Sequence, residues 1–157
     1  MISCDFTSFT RVPFGLPATV TSLSMFSSAV KSVTFSSFTT PFILNDIINL
    51  NLRNNVITNV DGAAFYVLTR LETLNLAENQ IASLDEEVFG SLTALKVLNL
   101  ADNRIARLEA DVFSTLTSLE KLYLQGNRIT TLPRSVFASL ENLKMCVCAH
   151  CTFERVV

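Results

Sequence analysis

The chain has 157 residues, 49% of them hydrophobic and 17% charged, with a formal net charge of −2. That balance suits one domain with a sizeable core and excludes a disordered chain. The small net charge excludes a field strong enough to imply nucleic acid or an anionic membrane as partner. No apolar run reaches the roughly 18 residues that a membrane-spanning helix needs.

Residues 1–19, beginning MISCDFTSFT, carry neither the basic start nor the apolar stretch of a signal peptide, and the whole chain lacks an N-x-S/T sequon. Residues 20–46 form a loose repeat unit with Leu23, Met25, Val30, Val33 and Phe38 at its apolar positions and Ser28 where later copies carry Asn. Its extra length lies near residues 39–45, which are expected to form a loop on one face. Residues 47–70 tighten the pattern, with Leu50, Leu52, Asn55, Ile57, Val60, Phe65 and Leu68 in register. Residues 71–94, 95–118 and 119–142 then write one 24-residue unit three times. The last stretch, 143–157, stays in register through Leu143, Cys146, Cys148, Cys151, Phe153 and Val156.

The dyads Leu50/Leu52, Leu74/Leu76, Leu98/Leu100 and Leu122/Leu124 have the period of two that points both side chains to one face of a strand. One short strand per unit, all running the same way, predicts a parallel sheet. Asn55, Asn79, Asn103 and Asn127 follow each strand where the chain must turn inward, and a buried amide there can bond orphaned backbone groups. Phe38, Phe65, Phe89, Phe113 and Phe137 recur at one position and are expected to stack as a core spine. The segments between, such as SLDEEVFGSL, are too short for much α-helix, so turns, 3₁₀ pieces or single helical turns are expected.

The unit L-x-x-L-x-L-x-x-N-x-I, then Leu, then V-F-x-x-L, resembles the leucine-rich repeat family in the 24-residue form typical of extracellular receptors and adhesion proteins. Residues 2–17 are similar to the second half of that family's N-terminal cap, through Ile2-Ser3-Cys4, Val12-Pro13 and Leu16-Pro17. The cap's role is to cover the exposed apolar end of the stack. The resemblance implies an α/β fold, a right-handed solenoid with its parallel sheet on the concave side. It also implies a protein ligand on that face and no cofactor. Only one of the cap's several cysteines is present, so the chain is expected to be a piece of a longer secreted or cell-surface protein, unless the cap is simply short and cysteine-poor. The alternative is a cytoplasmic interaction or scaffold protein.

Four columns of side chains between the core leucines would face a partner. They are Asn49, Thr73, Val97, Lys121; Asn51, Asn75, Asn99, Tyr123; Arg53, Ala77, Ala101, Gln125; and Asn54, Glu78, Asp102, Gly126. Tyr123, Lys121, Arg53 and Glu78 are the expected anchors, since Tyr and Arg are enriched at hot spots. A solvated polar surface is the plainer reading of the Asn column.

Cys146, Cys148, His150 and Cys151 form the one cluster with metal-ligand residue types, C-x-C-x-H-C. Three readings stay open: buried small hydrophobes in place of strand residues, part of a disulfide-bearing C-terminal cap, or a zinc site whose spacing is tight for tetrahedral closure. Cys4 is expected to pair with none of them, since five strand spacings of about 4.8 Å far exceed the ~7 Å Cα limit of a disulfide. No P-loop, G-x-G-x-x-G or H-E-x-x-H occurs, and with a single His no catalysis is expected. Asp85, Glu86, Glu87, Glu109 and Asp111 read as a solvated face.

Overall fold

A computed structural model describes residues 1–5, 8–13, 16–39 and 43–148. Sequence expectations for His150, Cys151, Phe153 and Val156 lie outside those residues. Nine short strands occur among the described residues: β1 (Ile2–Ser3), β2 (Ser22–Ser24), β3 (Ser32–Val33), β4 (Asn49–Asn51), β5 (Asn59–Val60), β6 (Thr73–Asn75), β7 (Val97–Asn99), β8 (Lys121–Tyr123) and β9 (Met145–Val147). Seven of them form one parallel sheet in the order β1-β2-β4-β6-β7-β8-β9, the concave side of a solenoid. β3 and β5 pair separately, on the flank of the first two repeats.

Leucine at the strand centre sets the register. Leu23, Leu50, Leu74, Leu98 and Leu122 face one another across the sheet, and Cys146 takes the same place in β9. Each strand ends quickly because the chain must turn back into the core. That turn uses a left-handed residue in every repeat: Ser27, Asn54, Glu78 and Asp102 at φ of 54–56°, and Gly126 at 70°.

The Asn side chain closes the turn. Asn79 Nδ2 donates to the carbonyls of Leu52, Leu76 and Ala77, while its Oδ1 accepts the Ile57 N–H at 3.0 Å. Asn103 repeats all four bonds one repeat along. Asn55 does the same against repeat 1, and Asn127 bonds Leu100, Leu124 and Ile105. Ser28, at this position in the first repeat, still reaches the preceding strand by donating to Cys4 O at 3.0 Å. The shorter side chain keeps one reach of the longer one.

Beneath the turns run the phenylalanines. Successive ring centroids from Phe38 to Phe137 lie 6.2, 6.4, 6.1 and 6.4 Å apart. The first four rings are fully buried and Phe137 partly so. The convex segments close through bonds three residues long, such as Val88 N–H to Asp85, Leu92 to Phe89 and Leu95 to Leu92. That spacing belongs to turns and 3₁₀ structure rather than to α-helix. The one helix among the described residues is a 3₁₀ turn, Phe35–Phe38. Because the cap stretch adds β1, six strand spacings rather than five lie between Cys4 and Cys146.

Candidate binding face

The strand register brings the expected residues into columns. Ser22, Asn49, Thr73, Val97, Lys121 and Met145 are successive partners, as are Ser24, Asn51, Asn75, Asn99, Tyr123 and Val147. These side chains alternate with the buried leucines and so project from the sheet.

The Asn column is only partly available. Asn51 Oδ1 accepts the Arg53 N–H, Asn75 the Ala77 N–H and Asn99 the Ala101 N–H, at 3.1, 3.0 and 3.0 Å. Asn51 Nδ2 also donates to Ser24 Oγ. Each amide thus braces the strand's exit into the left-handed turn. Repeat 1 has Ser24 at this position, and there Asp5, in the turn just after β1, supplies the acceptor: its carboxylate takes the Phe26 N–H at 2.7 Å and the Ser24 hydroxyl at 2.6 Å. Slight burial raises the Asp5 pKa, but the bonds from Ser24, Ser3 and the Phe26 N–H outweigh it and hold the carboxyl below its ordinary value.

Arg53 and Glu78 pair across repeats, with Arg53 Nε 3.1 Å from Glu78 Oε1. The guanidinium also lies 5.8 Å from the Phe26 ring centroid. Ala77 and Ala101 are buried; Asn54 Nδ2 donates to Ser27 Oγ; Asp102 is exposed beside Gly126. Gln125 Oε1 is buried with no hydrogen-bond partner among the described residues.

Toward the C-terminal strands the face becomes apolar. Val97 and Tyr123 are half-buried, while Met145 and Val147 are 44% and 39% exposed. Met145 and Val147 were not anticipated, although stepping each column one repeat past Lys121 and Tyr123 lands on them. Cys146 and Cys148 pack against the core from the other face of β9. Cys4 and Cys146 carry thiols, and burial pushes that of Cys146 up to about 11. Among the described residues no group of three His, Cys, Asp or Glu side chains is placed to hold a metal.

The repeat pattern, the ladder and the parallel sheet coincide with a family model described as "Leucine rich repeat", which matches residues 47–105 and 93–145. The chain belongs to the leucine rich repeat family. Among solved structures it resembles Toll in the Drosophila Toll–Spatzle complex, with a TM-score of 0.74 and 24% identity over 81% of this chain and 16% of that one. It also resembles a chain of the TLR13–ssRNA13 complex, with a TM-score of 0.60 and 26% identity over 81% of this chain and 21% of that one. This leucine rich repeat chain therefore spans about a fifth or less of either neighbour. No curated protein matches it.

Proposed function

We propose that this leucine rich repeat chain is a protein-binding module that engages its partner through the concave face, as part of a secreted or cell-surface receptor or adhesion protein, without catalysis of its own. The observation that carries the reading is the gradient along the sheet, from short polar side chains on β2, β4 and β6 to Val97, Tyr123, Met145 and Val147 around Lys121. Apolar and aromatic side chains that project from a rigid sheet favour a protein partner. Lys121 has no ion-pair partner among the described residues, whereas Arg53 is neutralised by Glu78. Tyr123 and Lys121 are therefore the anchors, with Thr73, Asn75, Asn99 and Gln125 around them and Asn49, Asn51 and Asp102 farther out. Among the described residues that face has no stripe of free basic side chains, which favours a protein over an RNA. The structural neighbours add support: one of them is solved with Spatzle.

An outside location draws on Cys148, whose side chain is committed rather than left as a thiol. We read that commitment as a disulfide, a bond that persists in oxidising compartments. Labelling the denatured chain is then expected to find two of the four cysteines reactive before reduction and all four after it. Four at the outset would shift the protein to the cytoplasmic, scaffolding reading. For the face itself, the soluble chain is to be screened against secreted proteins and ectodomains. A partner that weakens about tenfold on Tyr123→Ala, a typical hot-spot loss, and not on Arg134→Ala on the convex side, is the expected result. A partner indifferent to Tyr123 and Lys121 would retire the concave reading.

A further inference from the structure

The convex side carries a second surface with a different chemistry. Phe35 and Tyr66, from adjacent repeats, are 49% and 65% exposed, and their rings lie 6.4 Å apart, tilted by 49°. Core positions bury their aromatics in this fold, so an exposed pair in contact is unpartnered apolar surface.

Tyr66 also forms one end of a groove of about 550 Å³ that crosses three repeats. That volume falls within the range of sites that hold small ligands or a few side chains. The floor is made of small residues, among them Gly62, Ala63 and Gly90. The hydroxyls of Ser91 and Thr115 are already spent on the carbonyls of Phe65 and Phe89.

The rim is acidic. Glu86, Glu87 and Asp111 line the groove and are exposed, and none of their carboxylates has a hydrogen-bond or ion-pair partner among the described residues. Four acids elsewhere on the solenoid behave differently. Asp46, Glu72, Glu78 and Glu120 are each paired with an Arg or Lys of a neighbouring repeat. Three uncompensated carboxylates beside an exposed aromatic therefore fit an arginine, whose guanidinium bonds carboxylates bidentately and stacks on aromatic faces.

We propose that this convex groove docks an arginine-bearing, apolar segment of a partner protein, with guanidinium groups on Glu86, Glu87 and Asp111 and one stacked on Tyr66. The site is independent of the concave face, so the two can be occupied together.

The test is fluorescence anisotropy of a labelled peptide of alternating Arg and Leu against the full chain, with an alternating Glu and Leu peptide as the charge-reversed control. The Arg peptide is expected to bind and the Glu peptide not. Tyr66→Ala is expected to weaken binding about tenfold, as is the triple change Glu86→Gln, Glu87→Gln, Asp111→Asn. All four positions are exposed, and unchanged circular dichroism and Tm confirm folding. Tyr123→Ala on the concave face should leave the affinity unaltered. Absence of binding overturns the proposal, as does a loss caused by Tyr123→Ala. Sensitivity to the acids but not to Tyr66 also overturns it, since that is charge attraction without a groove. Self-association abolished by Tyr66→Ala would give the groove to a second copy of the chain, and the partner-segment reading would fall.

Discussion

Asn103 illustrates how one side chain can hold two repeats. Its four hydrogen bonds, all buried, join the Leu76 carbonyl and Ile81 N–H of one repeat to the Leu100 and Ala101 carbonyls of the next. Asn103→Ala strands those groups and is expected to cost about 1–3 kcal/mol in chemical denaturation. Gly126 has the opposite vulnerability. Its φ of 70° suits glycine, and an added Cβ would lie 3.1 Å from Asp102 Cα. Gly126→Ala is expected to cost about 1–3 kcal/mol. The reverse change Glu78→Gly relieves a left-handed position and is expected to be nearly neutral in the same titration. At Cys146 the raised pKa means that thiolate is the scarce form at neutral pH. Its alkylation rate in the native protein should climb about tenfold per pH unit toward 11. A plateau below pH 9 would show that burial does not control it.

At the scale of elements, the Phe spine and the sheet are the two parallel supports of each repeat. Phe113 is fully buried between Phe89 and Phe137. Phe113→Ala should destabilise by about 3–5 kcal/mol. Phe137, partly exposed, should lose clearly less in the same unfolding measurement, and equal losses would mean that the rings do not act as a stack. The strands were legible in the sequence because Leu at a spacing of two admits few alternatives. The pairing of β3 with β5 was not: Val33 and Val60 hold the repeat's apolar position, but Leu84 and Leu108 hold it in later repeats without a strand, so the position alone does not signal one. β3 and β5 meet because the first two repeats bring their flanks within bonding distance. The Asn51, Asn75 and Asn99 column was legible in place but not in role. An amide can face a partner or accept a backbone N–H, and only the turn's geometry shows that its Oδ1 is taken.

For the whole molecule, each repeat touches only its neighbours, so stability is a sum over repeats and the interfaces between them. Hydrogen exchange is expected to be slowest for amides such as Leu76 and Leu100, whose bonds to Asn99 and Tyr123 lie mid-sheet. It should be fastest toward β1 and β9. Uniform protection would instead indicate a single cooperative block. The sequence placed the concave columns through its period. It could not weigh them, because the pairing of Arg53 with Glu78, which leaves Lys121 without an ion-pair partner on this face among the described residues, depends on side chains meeting across strands.

The ion pairs along the sheet edge have one more consequence. Glu72, Lys96, Glu120 and Lys144 occupy the same place in successive repeats, with Lys96 bonded to Glu72 and Lys144 to Glu120. The column therefore has a parity that the 24-residue period hides. Excising residues 95–118 would set Glu72 beside Glu120, a like-charge contact between adjacent strands. Excising residues 95–142 would set Glu72 beside Lys144 and restore the alternation. Along this edge the molecule counts in twos: a duplicated or deleted pair of repeats goes unnoticed, and a single one does not.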